Sequence, residues 1–222
     1  ELIPGGHWAE NNYIHHVGVV YTRGVGLNID GVGQRASHNL NHDCPRFALI
    51  FYGNDHRIEY NRLRHMNIQT DDSGATYCWG RDFLTARGSV IAYNHISDSL
   101  GYGKKLDTWT SPYYAWGIYL DDDCCGVDVI GNLVANANRA GIHFHNARDI
   151  VASNNFFINN GSHDLEMNGW TATHRFFLNN LSNFEASWAA YAQLPAWKKY
   201  RGLAKAPPAE AGFMVDNVIV KN

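Results

Sequence analysis

Residues 59–66 (EYNRLRHM) and 92–98 (AYNHISD) share the pattern that decides the fold: an Asn stands just before a short segment in which apolar and polar side chains alternate. The same pattern recurs in residues 11–16 (NNYIHH), 38–43 (HNLNHD) and 131–137 (GNLVANA). Asn beside apolar residues is explained if its side chain is buried at a turn, because stacked Asn side chains can hydrogen-bond one another and the neighbouring backbone. The recurrence therefore predicts a repeat architecture with an internal Asn ladder.

Alignment on this Asn defines the ladder positions. They are Asn12, Asn39, Asn61, Asn94, Asn132, Asn155, Asn180 and Asn217. The shortest interval, from Asn39 to Asn61, is 22 residues by subtraction and fits one β-helix coil of three short strands. The sequence therefore predicts an all-β chain, a right-handed parallel β-helix that forms a single-stranded solenoid of about eight coils.

The chain contains no linker-like segment, so residues 1–222 are predicted to form one domain. Longer intervals in the ladder predict turn insertions near residues 101–114 and 185–211, where added length costs little entropy. The first insertion carries Tyr113 and Tyr114, whose rings suit either substrate binding or packing. The second is rich in Ala, Lys, Trp and Leu, a composition that favours a short helix.

A second strand follows each ladder Asn, and its alternation distinguishes core positions from outward positions. Residues 27–30, 118–121, 142–145 and 165–168 align without gaps, with apolar residues at the first and third positions. The outward side chains form two columns, Asn28, Tyr119, His143 and Glu166 in one and Asp30, Asp121, His145 and Asn168 in the other. Neighbouring parallel strands lie roughly 4.8 Å apart, so residues of one column are expected to lie side by side.

One further segment joins this face when residues 74–79 (GATYCW) are aligned with residues 117–122 (GIYLDD). This alignment places Thr76 beside Tyr119. It also places Cys78 beside Asp121.

Two acidic clusters lie on neighbouring coils of the predicted solenoid. Asp71 and Asp72 precede one strand, and the run that begins with Asp121 and Asp122 ends the corresponding strand of the next coil. Cleavage of a glycosidic bond needs one carboxyl group to protonate the leaving oxygen and a second to act as nucleophile or to activate water. These four aspartates are therefore the candidate catalytic residues, although acidic runs of this kind also occur as solvated turns.

His143 and His145 have the spacing that places both side chains on one face of a strand. They are predicted to hold a sugar hydroxyl or to tune a carboxylate. A zinc site would need a third ligand, which Asp121 can offer, but no metal is assigned.

The remaining predicted substrate contacts surround these histidines. Tyr119 and Trp79 supply rings for a sugar, and Glu166 is a reserve acid or base. Arg81 is expected either to pair with its neighbour Asp82 at the turn or to keep a carboxyl of the first acidic cluster ionised.

The charge and hydropathy of the chain narrow the range of partners. The formal net charge is -3, with scattered basic residues, so neither nucleic acid nor an anionic membrane is an expected partner. No apolar run reaches the roughly 18 residues of a membrane-spanning helix. The four cysteines lack the paired spacing of a zinc site, and their disulfide state stays open.

Four segments together resemble bacterial right-handed β-helix proteins of the glycoside hydrolase family 141 type. They are residues 53–66 (GNDHRIEYNRLRHM), 70–83 (TDDSGATYCWGRDF), 117–134 (GIYLDDDCCGVDVIGNLV) and 140–160 (AGIHFHNARDIVASNNFFINN), and the resemblance covers roughly residues 9–183. It implies a secreted or cell-surface enzyme that acts on polysaccharide or oligosaccharide, with α-L-fucosidase and xylanase activities and aspartates as acid/base and nucleophile. Carried over by motif, those roles fall to Asp72 or Asp71 and to Asp121 or Asp122.

Three hypotheses therefore stand. The first is a β-helix glycoside hydrolase that uses the paired aspartates and no cofactor. The second is a polysaccharide lyase or epimerase that holds Ca²⁺ with the Asp run, although no Arg or Lys projects from the columns as its base. The third is a noncatalytic structural or glycan-binding β-helix. Since the ladder reaches the end of the sequence without a cap, we also expect uncapped strand edges, and hence either self-association through them or a fragment of a longer chain.

Overall fold

The computed structural model describes residues 2–205 and 213–222 and shows an all-β, solenoid-like chain built on three parallel sheets. Sheet 1 contains β1 (Trp8–Glu10), β4 (Arg35–Ser37), β7 (Arg57–Glu59), β10 (Val90–Ala92), β15 (Asp128–Ile130), β18 (Val151–Ser153) and β21 (Val218–Val220). Sheet 2 contains β2 (Tyr13–His15), β5 (Leu40–Cys44), β8 (Arg62–Met66), β11 (His95–Ser99), β16 (Leu133–Ala135) and β19 (Phe156–Ile158). Sheet 3 contains β3 (Leu27–Val32), β6 (Leu49–Asn54), β9 (Ser73–Trp79), β14 (Ala115–Asp121), β17 (Ala140–His145) and β20 (His163–Asn168).

The chain visits sheets 1, 2 and 3 in a fixed order, and one visit to all three is called a pass below. Each strand pairs in parallel with the strand of the same sheet in the next pass, as β8 does with β5 and with β11. Parallel neighbours need a crossover connection, and here the other two sheets provide it. The predicted parallel stacking of an internal repeat is confirmed.

The main core lies between the three sheets. Its fully buried side chains include Ala36, Leu49, Phe51, Ile58, Ile91, Ile96, Ile118, Leu120, Val129, Ile142 and Phe144. Burial of each large apolar side chain contributes roughly 1.5–3 kcal/mol relative to exposure, so this apolar column is the principal stabilising element of the stack.

The Asn ladder lies at the turn between sheets 1 and 2. At one step, the backbone N–H and the side-chain Nδ2 of Asn61 both donate to Oδ1 of Asn94, at 2.9 Å and 3.0 Å. The same Nδ2 donates to the carbonyl oxygen of Ala36 in the preceding pass, at 3.0 Å. A buried polar side chain is thus satisfied by protein groups alone, which explains why Asn recurs among apolar residues.

Six of the predicted ladder members are confirmed, and two are wrong. The observed ladder runs through Asn12, Asn39, Asn61, Asn94, Asn132 and Asn155 and continues to Asn222. Asn180 instead lies in a helix and donates to the carbonyl of Phe176. Asn217 lies at another turn, where its Oδ1 accepts the backbone N–H of Ile150. An Asn before apolar residues occurs in the ladder, in the helix and at the other turn, so the pattern alone did not distinguish these three settings.

The strands of sheet 3 bend because two successive residues face the core in each pass. The pairs are Ala48 and Leu49, Ala75 and Thr76, Gly117 and Ile118, and Gly141 and Ile142. A Cβ at Gly117 would lie 2.4 Å from a side-chain atom of the core residue Val134, so only a very small residue fits there. The inward bend brings outward side chains on either side of it together. Trp116 and Tyr119 have ring centroids 4.4 Å apart, whereas three residues of a straight strand span roughly 10 Å.

Both predicted insertions overhang the stack. The first contains the antiparallel hairpin β12 (Gly103–Lys105) and β13 (Thr108–Thr110). The second begins earlier than predicted, with helix α1 (Arg175–Ser187), and continues through a π-helical turn (Trp188–Ala192) and a 3₁₀ turn (Leu203–Lys205). Residues 206–212 of the predicted insertion lie outside the described residues.

The helical segment packs on the turns that follow the sheet 3 strands. Phe177 and Phe184 of α1 form an apolar cluster with Phe83. Beneath it, the fully buried Arg87 pairs with Asp149 at 2.8 Å. The segment therefore covers the side of the stack next to the acidic end of β14.

The four cysteines are buried and free, which answers the open question of their disulfide state in this structure. Separately, none of the helices among the described residues has the length and apolar character needed to cross a membrane.

Replacing Asn61 with Ala is expected to lower the free energy of unfolding by about 3 kcal/mol, because buried partners on two neighbouring passes lose their hydrogen bonds. Urea unfolding followed by circular dichroism measures the loss. Asn28→Ala is the matched control, since Asn28 is exposed on strand β3; its cost should stay below about 1 kcal/mol. Equal losses in the two variants would contradict a structural role for the ladder.

Candidate functional site

Two columns of side chains line the outer face of sheet 3. The register pairs Tyr119 with His143 and His143 with Glu166, as predicted for the first column. In the second column His145 pairs with Asn168, and its Nδ1 lies 2.7 Å from Oδ1 of Asp121. The predicted contacts of Tyr119 with His143 and of Asp121 with His145 are confirmed.

The predicted register of β9 is wrong by one residue. Tyr77 pairs with Tyr119 and Trp79 with Asp121, so these two residues occupy the columns. Thr76 and Cys78 are fully buried on the opposite side of the strand. The alignment failed because it matched Gly74 to Gly117, whereas Gly74 lies opposite Trp116, one position before the bend.

Asp121 is held by donors from two neighbouring passes. Its Oδ2 accepts the hydroxyl of Tyr77 at 2.7 Å, and its Oδ1 contacts Nδ1 of His145. Burial alone would raise the pKa of Asp121, but the hydrogen bonds from His145 and Tyr77 outweigh it and lower the pKa below 3.8. Asp121 is only 9% exposed and is therefore a carboxylate shielded from bulk water.

The pKa of His145 shifts in the opposite direction. Burial alone would lower its pKa, but the hydrogen bond and the negative charge of Asp121 raise it above 6.5. Asp121 and His145 thus form a carboxylate–imidazolium pair at mildly acidic pH.

Asp122 pairs with Arg81, whose Nε lies 3.0 Å from its Oδ2. Burial and the nearby charge of Asp121 raise the pKa of Asp122, and Arg81 opposes that rise. The expectation that Arg81 pairs with Asp82 or with the first acidic cluster is therefore wrong. Asp82 instead accepts the backbone N–H groups of Leu84 and Thr85 within its own turn.

Asp123 differs from both of its acidic neighbours. It is fully buried, and its Oδ1 accepts Nδ2 of Asn146 at 2.7 Å. Burial raises the pKa of Asp123 to about 8. At neutral pH this third Asp is therefore mainly an uncharged acid and takes part in the structure of the turn.

Aromatic rings lie on the outer face of sheet 3 between the two acidic clusters. The surface bounded by Asp72, Asp121 and these rings is called the groove, and the rings are its floor. His143 stacks between Tyr119, at 4.7 Å, and Trp116, at 4.6 Å, and its Nε2 contacts Asn168 at 2.7 Å. Burial lowers the pKa of His143, so the ring is neutral near pH 7. Trp79 is 38% exposed and presents a ring to solvent at the edge of this floor.

Asp71 and Asp72 lie at the other end of the bent strands. The backbone N–H of Asp72 donates to the carbonyl of Tyr114 at 2.9 Å, and its φ of 47° is one that Asp tolerates better than most residues. Although the residue reaches the surface, partial desolvation and the charges of Asp121 and Asp71 raise the pKa of Asp72. The charge of Asp121 is thus one cause of the raised pKa of Asp72. Asp71 lies against Gly103 of the hairpin.

Glu166 is committed to an ion pair. Arg139 binds both of its carboxylate oxygens through Nε and Nη2, the shortest contact being 2.6 Å, and the indole N–H of Trp116 donates at 2.8 Å. Burial would raise the pKa of Glu166, but these donors hold it at about 2. A residue that stays ionised at ordinary pH is suited to fixing the groove wall, and not to donating a proton.

Three side chains in the site have a metal-ligand arrangement. One ligand atom each of Asp121, Asp122 and His145 lies within 4.8 Å of the other two. Carboxylate oxygen and imidazole nitrogen suit divalent cations such as Zn²⁺ or Mn²⁺. The same atoms already balance one another and Arg81, so the geometry does not require a cation for charge compensation.

Sequence reasoning did not identify two residues of the site. Tyr77, the hydroxyl donor to Asp121, would have followed from the correct register of β9. Arg139 pairs with Glu166 from another pass. Nothing in the local sequence of Arg139 indicates that contact.

Comparisons with protein-family models, with curated proteins and with solved structures find no match to this chain. The function must therefore be argued from the geometry of the groove.

The Asp121–His145 pair makes stability depend on pH. The folded pKa of Asp121 is lowered, so its contribution to stability is present above pH 3.8 and disappears as the pH falls through the folded pKa. The folded pKa of His145 is raised, so its contribution to stability is complete below pH 6.5 and disappears as the pH rises through the folded pKa. Asp121→Asn should therefore cost most stability between about pH 4 and pH 6.5 and less at pH 9. Urea unfolding across this range measures the effect.

Asp98→Asn serves as the control, because Asp98 bonds only the exposed Asn136 among the described residues, on a different sheet. It should show no such pH window. A cost of Asp121→Asn that does not vary between pH 4 and pH 9 would contradict the charged pair.

Proposed function

We propose that this protein is a carbohydrate-active enzyme that hydrolyses glycosidic bonds with Asp72 and Asp121. The observation that carries the proposal is the opposed behaviour of the two carboxyls. The pKa of Asp72 is raised, in part by the charge of Asp121, whereas that of Asp121 is lowered, and an aromatic cluster lies on the same face of sheet 3. Two titratable groups whose environments separate their pKa values are the signature of an acid and a base with distinct roles.

In this mechanism Asp72 donates a proton to the oxygen of the leaving sugar. It reaches solvent at the groove edge, where a substrate oxygen has access. Asp121 remains ionised and acts as nucleophile or as the base that activates water. Its carboxylate is oriented by Tyr77 and His145, which leave each oxygen a further lone pair for water or substrate.

The other predicted site residues have supporting roles. Trp79 and Tyr119 offer ring surface to a sugar, and His143 is a neutral hydrogen-bonding group beneath it. The Arg81–Asp122 and Arg139–Glu166 pairs fix opposite parts of the groove. Asp71 lies beside the acid and raises its pKa.

We further propose that the three sheets form a right-handed parallel β-helix of about eight coils, related to glycoside hydrolase family 141. The fixed order of the sheets and the in-register Asn ladder support this architecture. Right-handedness follows the general preference of parallel crossover connections. A polysaccharide or oligosaccharide substrate and a secreted or cell-surface location belong to the same proposal.

A noncatalytic glycan-binding role is the second candidate, and one observation favours it. Both oxygens of Asp121 already accept hydrogen bonds, and the residue is 9% exposed. Such a carboxylate can be a structural centre beneath a sugar-binding surface.

Release of sugar from aryl α-L-fucosides and from xylan distinguishes the two candidates. Asp72→Asn and Asp121→Asn should each reduce turnover by roughly 10²–10⁴-fold, the range of a lost acid or base. Asp98→Asn, with its side chain on sheet 2, should retain wild-type turnover.

Glycan binding without turnover in the wild-type protein would support the noncatalytic role. Equal turnover in the wild type and in both groove variants would exclude the paired-aspartate mechanism.

A further inference from the structure

A cavity of about 340 Å³ lies beside the acidic groove, beneath the hairpin β12–β13. Its lining residues include Lys105, Thr110, Tyr114, Asn138, Arg139 and Ser162, whose polar groups or rings suit a sugar. The volume is within the range of small-molecule sites. Hydroxyl, amide and aromatic groups around one cavity are the combination that carbohydrate recognition requires.

The charges of this cavity do not cancel. Arg139 is neutralised by its two-oxygen ion pair with Glu166. Next to the cavity, Lys104 pairs with Asp107 at 3.1 Å. Lys105 has no ion-pair partner among residues 2–205 and 213–222, and the described lining contains no Asp or Glu. The cavity is therefore polar and positively charged.

The cavity is adjacent to the proposed reaction site. Tyr114 lines it, and the carbonyl of the same residue accepts the backbone N–H of Asp72. Arg139 lies 4.7 Å above the Tyr114 ring and fixes that wall. A sugar in the cavity would consequently lie next to the groove that holds Asp72 and Asp121.

We propose that this cavity is a subsite for a sugar with an anionic substituent, a uronate carboxylate or a sulfate ester, bound by Lys105. The proposal rests on the proposed function, since it assigns a substrate class to the same groove. A charged hydrogen bond to Lys105 selects the substituent, and the Tyr114 ring and neighbouring hydroxyls bind the sugar.

Affinity electrophoresis of the full chain tests the subsite. The gels contain polygalacturonate, which carries carboxylates, a carrageenan, which carries sulfates, or a neutral galactan. We expect tighter binding to at least one anionic polymer than to galactan, and the stronger of the two identifies the substituent. Lys105→Met should weaken that binding roughly tenfold, since a charged hydrogen bond is lost.

Lys104→Met is the matched control, because it removes the same charge from the same hairpin but its side chain pairs with Asp107. It should bind within about twofold of wild type. Circular dichroism verifies that both variants are folded. Equal weakening in the two variants, equal affinity for galactan, or no retardation in any gel would overturn the subsite.

Failure of this proposal can be told apart from failure of the proposed function, because the binding assay needs no turnover. A protein that binds anionic glycans through Lys105 but hydrolyses nothing retains the subsite and loses the hydrolase assignment. One that hydrolyses neutral glycans without preference for anionic ones has the reverse outcome.

Discussion

The hydrogen-bonded Asn ladder is the interaction on which the rest of the structure depends. Each ladder Asn links its own turn to the next Asn and to a carbonyl of the preceding pass, as Asn94 does with Asn132 and Ile58. Loss of one such partner inside a protein costs more than the bond itself gains, so a pass shifted by one residue is strongly disfavoured. The ladder therefore fixes the register of sheets 1 and 2, and the apolar column then selects the inward residues of sheet 3.

The outward side chains of sheet 3 converge because its strands bend. The small residues at the bend, such as Ala75 and Gly117, allow two consecutive positions to face the core. The outer face becomes concave, and Trp116 and Tyr119 converge above it. In a straight seven-residue strand the beginning of β9 and the end of β14 would lie far apart. The charge of Asp121 is among the causes that raise the pKa of Asp72.

Much of the register of sheet 3 is predictable from sequence, and the error in β9 has a structural cause. Period-two alternation correctly places His143 beside Tyr119 and His145 beside Asp121, because β14 and β17 bend at equivalent glycines. It fails in β9, where the residue at the bend is Ala75 and Gly74 stands one position earlier. Alternation assumes a straight strand, so a bend shifts every later residue to the other face.

The repeat pattern does not predict the helical segment or the ion pairs between passes. Asn180 matches the ladder pattern but belongs to α1, where the apolar side chains of Phe177 and Phe184 pack on the turns of other passes. Arg139 meets Glu166 only because a separation of 27 residues completes one pass. Such contacts depend on the length of each turn, which varies between passes and is not encoded in the repeat.

Asp121, Asp122 and Asp123 show that residue type alone does not determine the chemistry of the groove. Asp121 receives donors from the preceding and following passes and stays ionised. Asp122 faces Arg81, whereas Asp123 turns inward, where burial raises its pKa to about 8. Three consecutive carboxyls thus have a shielded charge, a paired charge and no charge at neutral pH. The neutral third acid limits the repulsion on the first, so Asp121 stays ionised without a concentration of three negative charges at a single turn.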